Sequence, residues 1–65
     1  MNYLKLKGKI VEKELTYKDC AEFIGISTTS FNKKMNGSSR FYIEEVKLLV
    51  QLLNLKDVEI INIFF

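Results

Sequence analysis

Thr28, Thr29, Asn32 and Lys33 are spaced to share one face of a helix, with Phe31 and Met35 on the opposite face. A segment of that kind can pack with one side while the other meets a partner. The chemistry on offer is recognition. A lysine ammonium can donate to guanine acceptors, an asparagine amide can pair two-pronged with adenine, and a threonine methyl can rest on the thymine methyl. Nothing comparable is offered for making or breaking bonds. The chain has no His and a single cysteine, Cys20, which removes the usual general base, a zinc site and an intrachain disulfide. It has no Gly-rich phosphate loop, and its carboxylates are scattered rather than paired. An enzyme is not expected, nor is a cofactor or a bound metal.

A face is useful only if something holds it, and the stretch from Thr16 to Gly37 supplies the holder. Thr16 is a good N-cap with Asp19 three residues on, a shorter stand-in for the Glu of a capping box, so a helix is expected from Tyr17 to Ile24. Gly25 stops it, because a residue just past a helix end commonly needs positive φ. Ser27 can then cap a second helix over 28–36, and Asn36-Gly37 ends that one. Two short helices joined by a tight Gly-containing turn, the second opening on small polar residues, form an arrangement able to set its second helix into a DNA major groove.

The remaining elements must wrap around this pair. Tyr3, Leu6 and Ile10 predict an amphipathic helix over 2–14, which Gly8 weakens by about 1 kcal/mol relative to Ala. Ile43, Val46, Leu49, Val50 and Leu53 predict another over 43–54, with Glu44 and Glu45 near its positive end but no short-chain acceptor at the cap. A short apolar helix over 57–63 closes the chain after a loop at 37–41 and its successor helix. The expectation is one all-α domain of five helices over residues 1–65, a size that buries only about 60% of its unfolded surface. Lys5, Lys7 and Lys9 break any secretory pattern and no long apolar run exists, so a soluble, cytoplasmic protein is expected. Net charge is only +2, but residues 1–40 carry eight cations against four carboxylates, and residues 41–65 carry two against four. The basic portion suits an anionic partner, though lysine-rich surfaces also serve solubility alone.

From Leu6 to about Ile61 the chain resembles the Cro/CI-type, lambda-repressor-like helix-turn-helix family, in particular its short phage and mobile-element members. The resemblance is carried by Leu15-Thr16, Cys20-Ala21, Gly25-Ile26-Ser27, Phe31 and Asn36-Gly37. It implies that Thr28, Thr29, Asn32 and Lys33 contact base edges of double-stranded DNA. Phosphate contacts are implied for Tyr17, Ser27, Asn36, Ser38 and Arg40, with Lys34 as a further candidate. Ser27 and Asn36-Gly37 are needed as cap and stop in any case, whereas Arg40 has no evident packing duty. The function implied is a sequence-specific regulator that occupies an operator as a repressor or Cro-like protein. Such a small reader is expected to work as a two-fold dimer.

The chain departs from the family pattern at three places. Ile10 and Met35 stand where the family often pairs an Arg with a Glu, and are expected to touch inside the core. Cys20 replaces a Leu and is expected to be a small buried hydrophobe. Phe23 occupies a usually polar position and either folds back on the first helix or joins a contact surface. Apolar residues at the C-terminal end, Ile60, Ile61, Phe64 and Phe65, either seal the core or form the homodimer surface. The alternative function is a protein-interaction module, an anti-repressor, antitoxin or adapter, that keeps this fold without reading DNA.

Overall fold

The computed structural model describes all 65 residues as five helices and no strands. They are α1 (Tyr3–Glu12), α2 (Tyr17–Ile24), α3 (Thr28–Met35), α4 (Ile43–Leu53) and α5 (Asp57–Phe64). Local chemistry accounts for the helix starts. The Asn2 side chain accepts from Lys5 N–H at 3.1 Å, which makes residue 2 a cap rather than the first helical residue. At α2 the capping box is complete: Thr16 Oγ1 accepts from Asp19 N–H at 3.1 Å, and the Asp19 carboxylate accepts from Thr16 N–H at 2.8 Å. The bond from Thr16 N–H, with the Thr16 hydroxyl beside it, holds the Asp19 carboxyl below its ordinary 3.8. Ser27 Oγ caps α3 through Ser30 N–H. Tyr42 and Lys56 carry no short acceptor, so α4 and α5 use only the returning half of the box, with Glu45 and Glu59 accepting from the cap N–H at 2.8 and 2.9 Å.

The helix stops share one device. After α1, α2, α3 and α4 a residue with positive φ (Glu14, Gly25, Gly37 and Asn54) is followed by an N–H that reaches back five residues to a helix carbonyl. The donor-acceptor pairs are Leu15 to Ile10, Ile26 to Ala21, Ser38 to Lys33 and Leu55 to Val50, all at 3.0–3.1 Å. This is the Schellman arrangement, and it satisfies carbonyls that a helix end would otherwise leave open. Two of these stops, Gly25 and Gly37, are as the sequence predicts. Glu14 is not, and it ends α1 two residues early because a left-handed residue cannot continue a right-handed helix. A side chain in that conformation costs about 1–2 kcal/mol. Glu14→Gly is therefore expected to raise stability by about 0.5–1 kcal/mol after the added chain entropy of Gly is subtracted. A thermal melt should show a midpoint several degrees higher, on the order of 4 °C for a domain this small.

The core is formed by Leu6, Ile10, Cys20, Ala21, Ile24, Phe31, Met35, Leu49, Leu53, Leu55 and Ile63. Ile10 and Met35 are both buried within it, as expected of apolar replacements for an ion pair. Cys20 is fully buried and its thiol is pushed up to about 11 by desolvation, with Asp19 adding to the shift. Of the two courses open to Phe23, folding back on α1 is not taken. Phe23 remains 48% exposed, because Cys20, Ala21 and Ile24 take the inward phase of α2 and residue 23 lies roughly a quarter turn away.

The chain closes on itself. Asn2 N–H donates to the Ile63 carbonyl at 2.6 Å, and Lys9 on α1 forms an ion pair with Glu59 on α5 while also meeting Glu12. The Tyr3 ring lies 3.6 Å from where a Cβ on Gly37 would sit, so the start of α1 covers the end of α3. α5 extends one residue further than expected, to Phe64. No helix is long and apolar enough to cross a membrane.

Candidate nucleic-acid interface

α2 and α3 meet through Phe31, which is fully buried and packs edge-on against Tyr17 with ring centroids 5.2 Å apart and against Phe41 at 5.7 Å. Phe31 thereby fixes α3 from its inner side. With Phe31, Lys34 and Met35 turned inward, Thr28, Thr29, Asn32 and Lys33 are all exposed along the opposite side. None of these four side chains makes a hydrogen bond or ion pair within the protein. They form a row of uncommitted donors, acceptors and methyl groups on a helix whose inner face is anchored.

The flanking positions divide. Ser27 is exposed but committed, since its hydroxyl caps α3 and meets Ser30 Oγ at 3.0 Å. Asn36 and Ser38 are exposed at the end of α3, where Asn36 is the C-cap and Ser38 N–H closes the Schellman bond. Tyr17 is half-buried against Phe31. Arg40 is exposed with an unpaired guanidinium, as is the Lys33 ammonium. The two helix starts expected to suit an anion differ as well. α2 already holds the Asp19 carboxylate at its positive end, whereas the first turn of α3 has no acidic residue.

Lys34 is a correction. It was expected to reach phosphate, but it is only 6% exposed, and its ammonium is taken inside the protein. Nζ donates to the Arg40 carbonyl at 2.7 Å, lies 3.2 Å from Glu45 Oε1, and stands over the Tyr42 ring at 4.6 Å from its centroid. Glu45 is 8% exposed and is the residue that sequence reasoning placed only as a favourable charge near a helix start. Both positions carried a signal. Residue 34 follows Phe31 by three and so shares its inward phase, and Glu45 is the third residue after the Tyr42 cap.

The sequence profile of the family described as protein of unknown function, DUF739, matches residues 1–65. The chain belongs to the DUF739 family. No curated protein matches it, and no solved structure does. In this DUF739 chain the exposed, uncommitted polar side chains of the candidate interface lie on α3 and the 37–42 loop.

Proposed function

We propose that this chain is a sequence-specific DNA-binding regulator, with α2 and α3 acting as a helix-turn-helix of the Cro/CI-type, lambda-repressor-like kind that it resembles. The observation that carries the reading is the exposed, uncommitted row Thr28, Thr29, Asn32 and Lys33 on a helix anchored from behind by Phe31. Base edges in a major groove present the acceptors, donors and methyl groups that these side chains match. Arg40 supplies a charge for the phosphate backbone at the loop that follows, with Ser38 and Asn36 beside it. Occupying an operator would block transcription with no catalysis.

For the dimer that such a reader needs, we propose the outer side of α5. Ile60 and Phe64 pack against the core, which leaves Val58, Ile61 and Phe65 exposed at i, i+3 and i+7, with Phe65 90% exposed. Leu4, 83% exposed, borders the same groove as Phe65, so the surface continues onto α1. Helical phase divides the C-terminal apolar residues: Ile60 and Phe64 face the core, and Ile61 and Phe65 are left exposed for the proposed dimer surface.

Selection from random duplexes followed by titration at several salt concentrations tests the reading. The expected result is an inverted repeat with half-sites about one helical turn apart, bound with a steep salt slope. Lys33→Ala should relax base preference at one position by about 1–3 kcal/mol, while Arg40→Ala should weaken all duplexes alike and reduce the salt slope by about one. Recovery of no sequence and no salt-dependent affinity would sink the proposal. It would favour instead the protein-interaction module, for which the half-exposed Phe23 is the supporting observation.

A further inference from the structure

The loop from Gly37 to Tyr42 is short of internal support. Gly37 and Ser38 are fixed by the Schellman bonds that end α3. From Ser39 to the Tyr42 N–H, only two backbone polar groups meet a partner, the Arg40 carbonyl and that Tyr42 N–H. Both partners belong to one buried ion pair. Lys34 Nζ donates to the Arg40 carbonyl, and Glu45 Oε1 accepts from Tyr42 N–H while facing the same ammonium at 3.2 Å. The third face of the ammonium is occupied by the Tyr42 ring, so its cation is surrounded by a carbonyl, a carboxylate and a π-face.

Ion pairs of this kind are weak evidence for stability, since two packed apolar side chains of similar volume often do as well. Direction is what an apolar pair would not supply. A lysine donor and a carboxylate acceptor fix where a particular carbonyl and a particular N–H must lie, and these belong to Arg40 and to the residue two beyond it. The last turn of α3 therefore holds the backbone that carries the Arg40 side chain, at one lysine's reach from the helix that bears Lys33.

We propose that Lys34, paired with Glu45, is a positioning residue: it never touches the nucleic acid, and it sets the Arg40 guanidinium at a fixed place beside α3 so that phosphate contact and base reading keep one register. This rests on the DNA-binding reading above. The Lys34–Glu45 pair thus transmits the register of α3 to the loop, and a change at residue 34 acts on DNA only through Arg40.

The test is a double-mutant cycle on the selected duplex, read beside amide hydrogen exchange. Lys34→Met should weaken binding to all duplexes by about eightfold near 0.1 M salt, the factor that one lost phosphate contact carries. Arg40→Ala should do the same, and the double variant should be no weaker than Arg40→Ala alone. Protection of the Tyr42 amide should fall at least tenfold in Lys34→Met, with the Phe31 and Leu49 amides keeping theirs. Because Lys34→Met strands Glu45 as a lone buried carboxylate, Lys34→Met/Glu45→Gln is the second variant. It keeps an acceptor for Tyr42 N–H with no unpaired charge, and it should fold yet show the same loss and the same non-additivity with Arg40→Ala. Lys34→Arg, which retains donor and charge, should recover most of the affinity. Additive losses, unchanged affinity in both Lys34 variants, or an unaltered Tyr42 amide would overturn the inference while leaving DNA binding intact. Wild-type protein that binds no duplex would overturn the functional reading and, with it, the role given to Arg40.

Discussion

Phe31→Ala is expected to bring the domain to the edge of unfolding at 25 °C. Phe31 is fully buried at the junction of α2, α3 and the 37–42 loop, with two aromatic rings set edge-on against it. Truncating a buried Phe to Ala costs about 3–5 kcal/mol through lost transfer energy and the cavity left behind. The two edge-on aromatic contacts put the expected loss toward the upper end of that range. A domain of this length has roughly 3–10 kcal/mol in total, at 0.05–0.15 kcal/mol per residue. Urea unfolding followed by circular dichroism should therefore show either no folded baseline or a midpoint near zero denaturant. Phe31→Leu, a smaller change in volume and shape, should keep the cooperative transition and lose only about 1–2 kcal/mol. An alanine variant as stable as the parent would mean that Phe31 does not anchor α3.

Glu45→Ala is the second largest change expected, and it would not be chosen from the sequence. It removes the acceptor of the Tyr42 N–H that starts α4 and the counter-charge of a lysine that is 6% exposed. Breaking a buried pair from one side costs about 3–5 kcal/mol because the remaining charge is stranded. Some of that should be recovered as the Lys34 stem bends its ammonium toward water. The diagnostic comparison is Lys34→Met/Glu45→Gln, which strands no charge and should lie within about 1–2 kcal/mol of the parent. A Glu45→Ala protein that melts where the double variant does would show that the pair is solvated in solution.

The contrast between these two positions explains what could be read from the residues alone. Phe31 was legible because an apolar residue at helical spacing has one place to go. The same holds for Gly25 and Gly37, whose positive φ is what glycine permits most easily. Glu14 adopts the same conformation for the same purpose, but its side chain gives no hint of it. The stop becomes visible only from the bond between Leu15 N–H and the Ile10 carbonyl. Lys34 reads as a surface charge because lysines are rarely buried, although its phase relative to Phe31 points inward. Its partner lies eleven residues away across a loop of irregular course, and no periodicity links the two. Of the candidate interface, the row on α3 was legible from the helical phase of Phe31. The surface at the C-terminal end was half legible. Its composition stood out in the chain, but the division between Ile60 and Phe64 on the inside and Ile61 and Phe65 on the outside required the register of α5.

The four helix stops built on one pattern have a kinetic consequence. Each is closed by backbone bonds spanning no more than six residues, so each reversal of the chain can form before distant segments meet. Loops of that size close in about 10–100 ns, and helical domains dominated by local contacts fold in microseconds to milliseconds. The protein is therefore expected to re-form far faster than a protease can cut it. Its lifetime among proteases then depends on how often the chain stands open and not on how quickly it opens. Depth of the energy well, rather than height of the unfolding barrier, is then what sets how long so small a core persists.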